Sequence, residues 1–210
     1  MKRRMVLGFF LGLACGPALA QDVPPPPAAP TAPPAVVEVR VTMLTSEGTI
    51  VLAVDKTHAP ITATNFLRYV DQKRLDGTTI YRALKFGDDG GLIQGGTRDN
   101  PKRVLPPIAH EPTSKTGLSH VAGTISMARF NPGSANGDFF ILASDIPQLD
   151  ADPTQPGDNV GYAAFGHVVE GMDVVKRIVA LPTSPTAGEG AMRGQMLAAP
   201  VKIISVRRSE

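Results

Sequence analysis

The stretch Gly123-Thr124-Ile125-Ser126-Met127-Ala128-Arg129-Phe130-Asn131-Pro132-Gly133-Ser134-Ala135-Asn136-Gly137-Asp138-Phe139-Phe140-Ile141-Leu142 decides how the rest of the chain is read. Two short apolar runs, Gly123–Met127 and Phe139–Leu142, flank a turn rich in Gly, Asn and Pro. Runs of that length bounded by turn residues read as strands rather than helices. Phe139 and Phe140 are neighbours on one strand, so one faces a core and the other an outer surface. Similar segments occur at Thr79–Ala83, Leu92–Gln94 and Ala163–Val169. Near the start of the folded part, Val37, Val39, Val41 and Met43 alternate with polar residues, as in a half-buried strand. Ser46-Glu47-Gly48 then turns into a return strand, Thr49–Val54, and Val201–Val206 is a last alternating strand. Two helices are expected. One has Pro60 in its first turn and Ala63, Phe66, Leu67 and Val70 on one stripe, and ends before Asp76-Gly77. The other covers Val174–Val179, and a Gly- and Pro-rich loop, Pro182–Pro200, follows it. Many short strands with two helices point to a mainly β, closed barrel, which leaves no free sheet edge.

With 42% hydrophobic and 19% charged residues, the 210-residue chain has apolar material for one real core, plus appendages. Residues 1–20 read as a secretory signal peptide. Lys2-Arg3-Arg4 form its basic start, Met5–Ala14 its apolar segment, and Ala18-Leu19-Ala20 a cleavage site before Gln21. The apolar segment is too short to cross ~30 Å of hydrocarbon, and Gly16-Pro17 interrupts it, so cleavage is favoured over a retained anchor. No stable membrane insertion is expected after cleavage. Cys15, the single cysteine, lies within this signal and follows a poor lipoprotein box, Gly12-Leu13-Ala14. The mature chain is then expected to lack any thiol, disulfide or thiolate metal site. Residues 21–35 read as a spacer: seven of the 20 prolines fall between Asp22 and Pro34, favouring solvated polyproline II. The domain proper is placed at 36–208. Of the 21 basic residues, three belong to the signal, leaving 18 against 19 acidic ones beyond residue 20. That balance gives no footprint for nucleic acid. An exported, periplasmic location is expected.

Three ordered segments resemble those of the cyclophilin-type peptidyl-prolyl cis–trans isomerases. Thr79-Ile80-Tyr81-Arg82 followed by Leu92-Ile93-Gln94-Gly95-Gly96 is similar to the segment with the family's catalytic arginine and its companion glutamine. Gly123–Arg129 running to Gly137-Asp138-Phe139-Phe140-Ile141 resembles the strands that wall the proline pocket. Ala163-Ala164-Phe165-Gly166-His167-Val168 with Glu170-Gly171-Met172 resembles the strand entering the second helix. The likeness spans about Val37 to Arg207. It implies an eight-stranded antiparallel barrel capped by two α-helices, with an active groove on its outer face. It also implies isomerisation of X–Pro bonds in proline-containing segments of unfolded or partly folded exported proteins. No cofactor or metal is implied, and a monomer is expected.

By that resemblance Arg82, Gln94, Phe140 and Tyr162 are the catalytic set. Arg82, which alone would read as a surface arginine after a strand, would donate to the proline nitrogen as the amide twists, and Gln94 would orient it. Phe140 and Leu92 would floor and wall the proline ring, with Leu149 and Met127 behind. Tyr162, where many relatives carry histidine, would donate to the carbonyl on the prolyl side. Ala128, Arg129 and Asp138 complete the substrate-binding set. Several positions depart from the family pattern: Gly91 stands for an aromatic, Gln148 for a tryptophan, Asp138 for glutamine and Arg129 for asparagine. The loops Ala83–Gly91 and Asp150–Gly161 are lengthened. Arg129 and Asp138, opposite in sign on neighbouring walls, are expected to pair across the rim; the rival is an Asp138–Arg82 pair. The alternative function is a weakly active or inactive module that grips proline-containing segments as a chaperone. A hydrolase is disfavoured: Ser119-His120 is adjacent but no G-x-S-x-G occurs. His58, His110, His120 and His167 show no metal-ligand spacing.

Overall fold

Alternation places Val41 and Met43 of β1 (Glu38–Thr45) on the same buried face as Ile50, Leu52 and Val54 of β2 (Gly48–Asp55). The computed structural model describes residues 35–87, 90–155 and 159–209. The expected signal, and the spacer up to Pro34, lie outside these residues. β1 and β2 pair as a hairpin from Glu38↔Asp55 to Thr45↔Gly48; Val37 lies ahead of the strand and is exposed.

The other strands are β3 (Thr79–Phe86), β4 (Gly90–Gly96), β5 (Thr124–Met127), β6 (Asp138–Leu142), β7 (Ala163–Glu170) and β8 (Met196–Arg208). All pair antiparallel, in the order β1-β2-β7-β5-β6-β4-β3-β8, and close a barrel as expected. Closure gives every strand two neighbours and leaves no edge to template aggregation.

The helices are α1 (Pro60–Asp71), α2 (Thr113–Thr116) and α3 (Met172–Ala180). α1 and α3 are the two read from sequence. α2 is a single turn ended by Gly117 at φ 71, too short to leave a period in the sequence. α1 drives Ala63, Phe66, Leu67 and Val70 into the core, where Phe66 meets Phe139 edge-on at 5.8 Å and Phe165 at 5.1 Å. Val175 and Ile178 of α3 are fully buried in the same cluster. α1 has no side-chain cap of its own. Glu111 supplies one from about fifty residues away, accepting the Ile61 and Thr62 amides at 3.0 and 2.6 Å and the Thr62 hydroxyl at 2.6 Å. A carboxylate there satisfies orphan N–H groups and complements the helix dipole.

Two segments expected as loop are strand. The lengthened Ala83–Gly91 connection extends the β3–β4 hairpin to the pair Phe86↔Gly90. β8 begins at Met196, five residues ahead of the expected Val201, because Met196 pairs with Arg82 of β3. Nothing in the local pattern of Met196–Pro200 alternates; the long-range partner makes the strand.

Candidate active site

β6 has two apolar faces. Phe139 points into the barrel and is 1% exposed, while Phe140 points out and joins Leu92, Leu142 and Ile146 in a separate cluster on the barrel's outer surface. Leu84, Ala128, Leu149 and Tyr162 pack against that cluster. It floors a groove of about 970 Å³. Arg82, Gln94, Phe140, Tyr162, Leu92, Ala128, Arg129, Asp138 and Leu149 all line this groove. Met127 does not. It pairs with Phe139 on β5, is 1% exposed and belongs to the barrel core, because the residue that shares Phe140's outward face is Ser126. The expectation that Met127 backs the pocket is corrected by strand alternation. Gln148 is exposed on the turn Pro147–Leu149 and is not part of the groove lining.

Arg82 sits on β3 opposite Gln94 of β4. Its Nη1 donates to Gln94 Oε1 at 2.6 Å, while its Nε and Nη2 both donate to Gln195 Oε1, at 2.8 and 2.6 Å. Three of the roughly five guanidinium donors are thus held by neutral amides, leaving one hydrogen on each terminal nitrogen uncommitted by them. Burial lowers the Arg82 pKa from its ordinary value, with Tyr81 and Tyr162 nearby opposing that shift. The group is nevertheless permanently charged at working pH.

Asp138 forms neither expected pair. Its Oδ1 accepts the Arg98 amide at 2.8 Å and the Thr97 hydroxyl at 3.3 Å, and its Oδ2 accepts the Tyr81 hydroxyl at 2.8 Å. Gly96, at φ 135, makes room for it: a Cβ there would lie 2.5 Å from Asp138 Oδ1. Arg129 instead donates to the backbone oxygens of Gly161 and Phe130 and lies over the Tyr162 ring, 4.9 Å from its centre. The Asp138 oxygens accept, so the Tyr81 hydroxyl must donate to one and can accept from Gln94 Nε2, at 2.9 Å. That fixes the Gln94 amide with its oxygen toward Arg82. Asp138 therefore reaches Arg82 through Tyr81 and Gln94, a relay that sets direction without neutralising the guanidinium. Burial pushes Asp138 up from the usual carboxylate range, against the Arg98 amide and Tyr81 hydroxyl that pull it down. Burial, with Asp138 alongside, pushes the Tyr81 phenol up strongly.

Behind Phe140, His120 stacks at 6.0 Å and 20°, while Tyr162 meets the ring edge-on at 5.4 Å. His120 Nδ1 contacts Asp150 Oδ1 at 2.7 Å and Nε2 contacts Ser126 Oγ at 3.0 Å. The string has the order of a hydrolase triad, but Ser126 is 0% exposed beneath Phe140, so it presents no nucleophile to a substrate. It braces the groove floor, and burial lowers the His120 pKa in favour of the neutral ring, against the pull of Asp150. Gly91 cannot regain an aromatic: at φ 132 a Cβ would sit 1.9 Å from Leu84 O. Leu84, across the hairpin, lines the groove in that region instead. Among the described residues no group of three His, Cys, Asp or Glu could hold a metal, and no helix is long and apolar enough to cross a membrane.

Tyr81, Leu84, Arg98 and Gln195 line or support the groove without having been singled out in the sequence. Tyr81 adjoins Arg82 in the motif, and that adjacency was the available signal. Gln195 carried none.

The family described as cyclophilin type peptidyl-prolyl cis-trans isomerase matches residues 40–208. The chain is 40% identical over 171 residues to a peptidyl-prolyl cis-trans isomerase of Acinetobacter baylyi, covering 80% of this chain and 84% of that one. It is 34% identical to peptidyl-prolyl cis-trans isomerase B of Escherichia coli, covering 81% of this chain and 99% of that one. In fold it is similar to the crystal structure of a cyclophilin type isomerase of Cryptosporidium parvum. The TM-score is 0.66 at 18% identity, with 83% of this chain and 99% of that chain covered.

Proposed function

The chain belongs to the cyclophilin-type peptidyl-prolyl cis–trans isomerase family, and we propose that it turns over X–Pro bonds in this groove, using Arg82 as its catalytic donor. The observation that carries the reading is a guanidinium clamped between two amides beside an apolar hollow floored by Phe140. Rotation about an X–Pro bond breaks no covalent bond, and its barrier of about 18–20 kcal/mol comes from amide resonance. A catalyst must therefore fit the twisted amide better than either planar isomer. In our reading, the proline ring lies on Phe140, flanked by Leu92 and Leu149. As resonance is lost the nitrogen gains a lone pair, and an uncommitted Arg82 N–H donates to it. Tyr162 is assigned to the neighbouring carbonyl. Each 1.36 kcal/mol of such selective stabilisation is worth about tenfold in rate.

The test is cis–trans exchange of an Ala-Pro-Phe peptide measured by NMR. Wild type accelerates exchange, and Arg82→Ala lowers kcat by about 10²-fold, the scale of losing a preorganised donor. Peptide binding without acceleration by wild type would leave the chaperone-like module as the function.

The clients, in this proposal, are exported proteins. The basic, apolar and Ala18-Leu19-Ala20 pattern of residues 1–20 supports that reading, as does the proline-rich composition of residues 21–35, a spacer ahead of the domain. N-terminal sequencing of the protein from a periplasmic fraction tests it: a start at Gln21 is expected, and an intact Met1 in the cytosol would overturn it.

A further inference from the structure

From its contacts with Arg82 we infer that Gln195 is a positioning residue for the isomerase reaction, and that the segment 182–200 is a working wall of the groove rather than a surface loop. The inference rests on the reading of Arg82 given above.

Gln195 lies 113 residues from Arg82 in sequence and meets it twice, one carbonyl oxygen accepting from both Nε and Nη2. Its own amide nitrogen donates to Ala191 O at 2.6 Å. A carbonyl can only accept, so that contact orients the Gln195 amide with its oxygen toward Arg82. The main chain is fixed as well: the Ala83 amide donates to Gln195 O at 2.9 Å, and Met196 pairs with Arg82 in the β3–β8 ladder. The segment is knitted to itself by Gly194 N to Ala187 O, Ser184 N to Met196 O and Ala198 N to Pro182 O, each at 2.8–2.9 Å. Gly188, Glu189, Met192 and Leu197 carry this wall along the groove.

Two features make the contact catalytic support rather than packing. Nε and Nη2 form the edge of the guanidinium opposite Nη1, so Gln94 and Gln195 together fix its plane. Both partners are neutral, so the full positive charge is left for the twisting amide. A carboxylate at 195 would hold the same edge but take part of that charge.

The experiment sets wild type, Arg82→Ala, Gln195→Met and Gln195→Glu side by side. It reads kcat from peptide exchange at saturation, peptide Kd from shift titration, thermal midpoint, and the Arg82 Nε–H proton signal. Gln195→Met keeps size but removes the acceptor. We expect kcat to fall roughly tenfold, the scale of a small misplacement of a catalytic group, with Kd within about twofold and the Nε–H signal lost to solvent exchange. Gln195→Glu keeps the acceptor, so its Nε–H signal persists and moves downfield, and its kcat lies between those of wild type and Gln195→Met. Unchanged kcat in Gln195→Met overturns the inference, as does a loss carried wholly by Kd. Should Gln195→Met lose the fold of 182–200, Gln195→Glu decides: an unmoved Nε–H signal overturns the contact itself. If Arg82→Ala is as fast as wild type, the functional reading fails. If Arg82→Ala is slow and Gln195→Met is not, only the present inference fails.

Discussion

The groove has two unlike walls. One is made of strands: Arg82 on β3, Gln94 on β4 and Phe140 on β6 stand in ladder register, Arg82 opposite Gln94 and Gln94 opposite Phe140. The other is the segment 182–195 ahead of β8, held by turns and a few hydrogen bonds, which meets Arg82 through Gln195. The strand wall gets its geometry from barrel closure, so its side chains are placed by the same ladder that holds the core. The loop wall has to be fastened point by point. Arg82 draws on both, one partner from regular structure and one from a segment with no period.

The sharpest way to break the contrast is at β6. Phe139→Ala should cost about 3–5 kcal/mol of stability, as for other large core truncations, while leaving kcat/KM of the folded fraction near wild type. Phe140→Ala should cost less stability, since its ring borders the groove, yet lower kcat/KM by about 10- to 100-fold. Denaturant titration beside peptide exchange separates them; equal effects on both quantities would mean that the two faces are not functionally distinct.

Next in size is the relay on the strand wall. Tyr81→Phe leaves an Asp138 oxygen buried without its donor and frees Gln94 to flip. A stability loss of about 1–3 kcal/mol with a roughly fivefold fall in kcat is expected, checked by the same two measurements. Unchanged kcat would show that the ladder alone orients Gln94. On the loop wall, Met192→Ala should change stability by less than about 0.5 kcal/mol and raise peptide Kd about twofold. A large stability loss there would make the segment a structural element rather than a lining.

The smallest effect is a pH drift. Burial holds the Asp138 pKa above its unfolded value. Between the two values the folded state binds more protons than the unfolded one, so this group's contribution to stability is full in acid and fades as pH rises through the folded pKa. Asp138→Asn does not titrate. The stability difference between variant and wild type should therefore move in the variant's favour as pH is raised above about 4. Urea titrations across that range check it, and a drift of opposite sign would place the carboxylate in a stabilising site.

Much of this was legible in the residues. Val41 and Met43, or Phe66 and Val70, announce their faces because period 2 and period 3.6 are written locally. Adjacency put one of Phe139 and Phe140 outward, and the family resemblance made it Phe140. Alternation leaves the face of Met127 open until the β5–β6 pairing makes Ser126 the outward residue, and that register is not printed in the sequence. The Asp138–Arg129 pair failed for a related reason. Opposite signs on neighbouring walls say nothing of the Tyr81 hydroxyl, the Arg98 amide or Gly161 O that claim those groups first.

By itself, the sequence determined where most strands and the two longer helices form and that they make a closed mainly β domain, and its family resemblance put Arg82, Gln94 and Phe140 in one ordered set. The folded chain alone decided that Glu111 caps α1, that Met196–Pro200 is strand, and that Gln195 takes one edge of Arg82. The division has one cause. Backbone preference and facing are encoded within a few residues, whereas contacts across fifty or a hundred residues exist only once barrel closure has brought their carriers together.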